Sequence, residues 1–218
     1  MKHMRRISCL GDSITFGLMA SGAEKSYPAV LQSLLGDSWC VSNFGRSGAT
    51  VINDFDVVEG RYSPYVKSDE YKQALQSYPE IVILMLGMND ANPTHHFNAE
   101  NNGEISSYYV DLYQEILESI IESVIGLPTM PKIYLVKTTQ MRRKVEDGFS
   151  EEYVKNFSEN LKIIRVVQEK VARKKGVYLI DTYADMKEEN YYKDGCHLTD
   201  RGYEQLAKVI YKVLKKEM

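Results

Sequence analysis

Short, almost wholly apolar runs alternate along this chain with longer stretches in which apolar residues recur every three or four positions. The runs at 6–10, 39–43, 80–86, 132–136 and 177–180 read as strands. The stretch from Glu80 to Leu86 shows no polar alternation, as expected of a central strand covered on both faces. The helical period appears at 27–35, with Pro28 in its first turn and Gly36 placed to stop it. It returns at 105–125, where Ile105, Leu112, Ile116, Ile120 and Val124 share one face and Gly126 and Pro128 follow. At 151–175 Tyr153, Phe157, Leu161, Ile164 and Val171 form a stripe that Gly176 ends. The segment 200–215 closes the series, with Tyr203, Leu206 and Ile210 turned inward.

Strands joined by helical segments call for parallel β-α-β crossovers, and therefore for an α/β fold with helices on both faces of one sheet. Two stretches fit poorly. Residues 54–78 offer one helix, 69–76, and otherwise loop; residues 91–104 are polar and irregular. No repeat, linker or low-complexity run interrupts the chain, so residues 1–218 are expected to form one domain.

Composition narrows the function classes. A net charge of −3 gives no support for nucleic-acid binding, which favours a basic face. No run approaches about 18 uninterrupted apolar residues, so no membrane span is expected. The charged start, Met1 to Arg6, is followed by too short an apolar stretch for a signal peptide. A cytoplasmic protein is the expectation, although a secreted protein without its leader reads the same. Cys9, Cys40 and Cys196 form no C-x-x-C pair and fit a reducing compartment. Sixteen tyrosines read as amphipathic packing at the surface, in preference to a sugar-stacking face.

Chemistry concentrates just past the strands. Gly11-Asp12-Ser13 offers a hydroxyl on a turn after the first, although the three residue types alone also describe an ordinary turn or cap. Gly48, within Asn-Phe-Gly-Arg-Ser-Gly, offers a sharply turned backbone N–H after the second. Asn89 follows the central strand and offers a neutral amide donor, or a helix cap. Asp194-Gly-Cys-His197 sets a carboxylate and an imidazole three positions apart before the last helix. A hydroxyl nucleophile needs a base, and the base needs a partner that fixes its tautomer. Cys196 reads as a small buried side chain. His95 and His96 read as loop residues at the substrate entrance, without the spacing of a zinc site. Arg46, Arg142 and Arg143 could meet an anionic substrate, but read more simply as solvated loop arginines.

The four motifs, in this order, resemble the SGNH hydrolase superfamily, the GDSL esterase/lipase family, from about Ile7 to the last helix. The resemblance implies a flavodoxin-like three-layer α/β/α fold with five parallel strands. It implies Ser13 as nucleophile, His197 as general base, and Asp194 as the group orienting His197. It also implies an oxyanion hole from the N–H groups of Ser13 and Gly48 and the side chain of Asn89. No metal or organic cofactor is implied. Ile14 stands where the family name has Leu, a mild apolar exchange. The expected partner is a small-molecule ester, most simply a short-chain acetyl ester such as an O-acetylated carbohydrate. A lysophospholipid hydrolase or a carbohydrate O-acyltransferase would use the same site.

Overall fold

The computed structural model of the chain describes residues 4–52, 62–96 and 102–217. The elements run β1 (Arg5–Gly11), α1 (Ser13–Phe16), α2 (Tyr27–Leu35), β2 (Trp39–Gly45), β3 (Ala49–Thr50), β4 (Ser63–Pro64), α3 (Asp69–Gln76), β5 (Ile81–Met85), α4 (Ser107–Ile125), β6 (Lys132–Val136), α5 (Glu151–Lys175), β7 (Tyr178–Ile180) and α6 (Asp200–Glu217). Five strands form one sheet in the order β2-β1-β5-β6-β7, with every pairing parallel. The small pair β3-β4 lies apart from it.

The chain steps from β1 to β2 through α2, then returns past β1 to β5 through α3. Right-handed crossovers made in opposite directions put α2 on one face and α3, α4 and α5 on the other. The helix contacts agree: α2 packs on α6, and α4 packs on α5. The direction of winding reverses between β1 and β5. At such a switch point the loops leaving neighbouring strands diverge and open a crevice at their carboxyl ends. Gly11 pairs with Gly45 on one side and Met85 on the other, so the three strands that border the crevice end level.

All five residues of β5 are buried, which accounts for its unbroken apolar run. The long helix α5 covers it with more than apolar groups. Gln168 Nε2 donates to Leu86 O at 2.8 Å. Asn160 Nδ2 donates to Ala91 O at 3.1 Å and to Gly103 O at 2.9 Å, and its Oδ1 accepts from Ile105 N at 2.9 Å. Buried amides thus satisfy the irregular backbone that leaves β5, where an unpaired group would be costly.

The tyrosines depart from the surface reading. Tyr27, Tyr65, Tyr113, Tyr134 and Tyr203 are fully buried. Three of their hydroxyls reach into polar backbone at the ends of elements: Tyr65 donates to Phe44 O at 2.6 Å, Tyr203 to Leu18 O at 2.7 Å and Tyr113 to Leu86 O at 3.2 Å. A buried ring with a satisfied hydroxyl adds apolar area and a polar latch together.

Boundaries shift where caps act. The predicted helix at 105–125 begins at Ser107, because Ser106 Oγ accepts from Tyr109 N and Ile105 is tied to α5. The first two strands run on to Gly11 and Gly45, and the last helix to Glu217. Of the irregular stretch 54–78, residues 54–61 lie outside the described residues; the rest holds β4 as well as the expected α3. Among the described residues no helix is long and apolar enough to cross a membrane.

Candidate active site

Asp12 follows β1 in an extended conformation, and its side chain accepts from Ile14 N at 2.9 Å, capping the four-residue α1. Ser13 is the first residue of that helix, so its backbone N–H has no intrahelical partner. The turn packs directly on β2: a Cβ at Gly45 would overlap the backbone of Thr15 and Phe16. A Cβ at Gly11 would stand 2.5 Å from Met85 O. Glycine at these two facing positions lets α1 lie against the strand ends.

Ser13 Oγ lies 3.0 Å from His197 Nε2. His197 Nδ1 lies 2.9 Å from Asp194 Oδ2. Asp194 Oδ1 accepts from Cys196 N at 2.9 Å and from His197 N at 2.7 Å. Its partial burial works to raise the carboxyl. The hydrogen bonds from the His197 ring and the two backbone groups outweigh this and hold it well below the usual carboxylate range. An anion fixed at Nδ1 keeps that nitrogen as the donor and leaves Nε2 to face the hydroxyl.

Across the crevice, Gly48 takes a left-handed φ of 76°. Asn89 Nδ2 donates to Ala49 O at 2.8 Å and has a second hydrogen to offer. Asp90 clamps the same segment from below, its Oδ1 accepting from Val51 N at 2.9 Å and Ile52 N at 2.8 Å. Ser13, Gly48, Asn89 and His197 all line one cavity of about 320 Å³. Burial pushes the Asp90 carboxyl up to about 7 and that of Asp12 up to about 6.

The sequence model of the GDSL-like Lipase/Acylhydrolase family matches residues 9–205. The chain belongs to that family. An acetylxylan esterase from Xylanibacter ruminicola is 29% identical across an alignment of 219 positions, gaps included, that covers 96% of this chain and 43% of that protein. The chain thus spans less than half the length of the curated relative it matches. Among solved structures, a carbohydrate acetylesterase from Sinorhizobium meliloti superposes with a TM-score of 0.75 at 19% identity, covering 98% of this chain and 100% of that one. The native aryl esterase of M. Smegmatis gives 0.73 at 19% identity, with the same coverage. The five-stranded parallel sheet flanked by helices is the fold these proteins share.

Within this GDSL-like chain the remaining sequence candidates divide. Cys196 is buried and its thiol is pushed up to about 12 by burial, so it stays protonated near neutrality. The expectation for His95 and His96 needs correcting, because neither is among the residues lining the cavity. His96 is buried, with Nε2 2.7 Å from Asp90 O, and the His95 ring meets the Tyr62 ring edge-on at 4.4 Å. Burial and the neighbouring His96 push His95 down to about 4. Among the described residues no three His, Cys, Asp or Glu side chains cluster as a metal site requires.

Of the arginines, only Arg143 departs from the solvated-loop reading. Arg46 reaches Glu70 at 3.3 Å and Ser63 Oγ at 3.1 Å. Arg142 donates to Lys187 O at 2.5 Å. Arg143 is held by Tyr153 and lines the cavity itself. No motif flagged it. The one local signal is Gly195, whose φ of 75° and want of space for a Cβ, 2.5 Å from Arg143 N, bring the loop of Arg143 onto that of Asp194.

Proposed function

We propose that residues 1–218 act as one serine esterase domain that hydrolyses short-chain, chiefly acetyl, esters of carbohydrates. The observation carrying this reading is the unbroken hydrogen-bonded series Ser13–His197–Asp194, facing the same cavity as Gly48 and Asn89. Ser13 Oγ attacks the ester carbonyl as His197 Nε2 takes its proton. The tetrahedral oxyanion meets the Ser13 and Gly48 N–H groups and the Asn89 amide. Such donors are worth roughly 3–4 kcal/mol each, because they are fixed before charge develops. His197 returns the proton to the departing alcohol, leaving acyl-Ser13. Water, deprotonated by the same ring, then releases the carboxylic acid and restores the hydroxyl.

Cavity size and lining support a small acyl group on a polar alcohol. About 320 Å³, bordered by Ser47, Asn89, Asn92 and Arg143 as well as by Leu18, Met88 and Phe157, has room for a small acyl group beside a polar alcohol. The names of the relatives, an acetylxylan esterase and a carbohydrate acetylesterase, point the same way.

The test is hydrolysis of 4-nitrophenyl esters from acetyl to decanoyl, with acetate release from acetylated xylo-oligosaccharides in parallel. The expected result is turnover greatest with acetyl and lowered at least about 10⁴-fold in Ser13→Ala. A maximum at octanoyl or beyond would refute the acetyl preference. Activity unchanged in Ser13→Ala would refute the mechanism.

A further inference from the structure

Arg143 does not behave as a solvated loop residue. Its side chain is only 18% exposed. Nη1 donates to Tyr153 Oη at 2.7 Å, and the guanidinium lies 4.8 Å from the centre of the Phe149 ring. Two anchors from the start of α5 and the loop before it therefore fix the group. Nη2 stands 3.9 Å from Asp194 Oδ2, beyond hydrogen-bond reach, and Nε is buried with no partner among the described residues. Asp194 is already committed to the His197 ring and two backbone N–H groups. The two Nη groups thus keep N–H groups to spare, while the buried Nε faces no open space.

Its position says which part of a substrate it meets. The departing alcohol takes its proton from His197 Nε2, so it lies on the His197 side of the cavity. Arg143 approaches the carboxylate that holds that same ring. The acyl group, by contrast, carries the oxygen that faces Gly48 and Asn89. Among the described residues lining the cavity, Arg143 is the only one with a permanent charge, and none is a carboxylate. Arg143 also borders a neighbouring cavity of about 470 Å³ in which Arg142, Lys144 and Lys193 stand beside Asp147, Glu189 and Asp194, so a larger alcohol has room beside the guanidinium in a lining of both charges.

Resting on the esterase reading above, we propose that Arg143 selects esters whose alcohol part bears a carboxylate, the chemical class being O-acetylated acidic sugars. A planar fork with spare N–H groups matches a carboxylate in geometry as well as charge. The bound carboxylate also faces the imidazolium that forms as Ser13 attacks, so the attraction strengthens toward the transition state.

The experiment compares a mono-O-acetylated methyl glucuronoside with its neutral carboxamide, with 4-nitrophenyl acetate as a third substrate. For the wild-type chain, kcat/KM should favour the carboxylate by about tenfold, the scale of one charge-assisted hydrogen bond at a partly exposed site. In Arg143→Gln that ratio should fall to about one, and in Arg143→Lys it should be partly kept. Raising the salt to about 0.5 M should shrink the wild-type ratio, a reading that needs no variant to fold. A wild-type ratio of one or less, or a preference that survives in Arg143→Gln, would overturn the assignment to Arg143 while leaving the esterase intact. Hydrolysis of none of the three by the wild-type chain would remove the esterase reading, and this inference with it.

Discussion

The two walls of the crevice are built by different means. Ser13, Gly48 and Asn89 stand at the ends of β1, β2 and β5, where parallel pairing, facing glycines and the buried Asp90 fix the backbone. Asp194 and His197 stand on a loop ahead of α6, fixed by two Asx-type backbone bonds and by the loop of Arg142 and Arg143 lying across Gly195. The sheet-end wall is part of the core. The loop wall is a local construction attached to it. Substitutions on the first should therefore act on stability and activity together, and substitutions on the second on activity alone.

The sharpest separation comes from Asp194→Asn. The amide oxygen still accepts from Cys196 N and His197 N, but the anion that fixes the His197 tautomer is gone. Turnover of 4-nitrophenyl acetate should drop about 10⁴-fold, while denaturant unfolding changes by less than about 1 kcal/mol. A large loss of stability would break the distinction between the walls.

Gly45→Ala probes the other wall. The methyl group would run into the backbone of α1, which cannot yield as a side-chain tip can. The expected outcome is a loss of about 3 kcal/mol in unfolding free energy, the upper range for overpacking, together with impaired turnover as Ser13 is displaced. Full stability with lost activity would mean that α1 adjusts independently of the sheet.

A smaller effect should appear in the pH dependence of Asp90→Asn. Burial raises the Asp90 carboxyl to about 7 in the folded chain, against an unfolded value of about 4. The folded state therefore binds this proton more tightly. The stabilisation is fully present below pH of about 4 and is lost as pH rises to about 7. The melting temperature of the wild-type chain minus that of Asp90→Asn should fall across that interval. Asp12 shifts in the same sense and, being charge-coupled to Asp90, follows the same slope. A difference that stays flat from pH 4 to 7 would show that Asp90 keeps an ordinary carboxyl.

The contrast between the walls also explains what could be read from the sequence. The run from Glu80 to Leu86 and the stripes of α4 and α5 announce themselves because burial of one strand or one helical face leaves a periodic imprint. The sheet-end motifs were legible for the same reason, since each follows a recognisable strand. Asp194 and His197 were legible as a spaced pair ahead of a helix. The pair β3-β4 was not, because two-residue strands leave no period. The role of Asp90 was hidden because its partners, Val51 and Ile52, lie some forty positions away. The setting of Arg143 depends on Tyr153, Phe149 and Gly195, three residues unremarkable apart. The buried tyrosines were misread because a phenol is compatible with both surface and core until its hydroxyl finds a carbonyl.

Ser13 and His197 are separated by 184 positions. During ribosomal synthesis β1 emerges before both of its sheet neighbours and before the histidine. A nascent chain therefore carries its hydroxyl for most of its elongation without the imidazole that would activate it. On the proposed mechanism, hydrolytic competence waits until the loop ahead of α6 has left the exit tunnel and docked. Ester turnover in a translation reaction would consequently remain silent to every chain stalled before that loop.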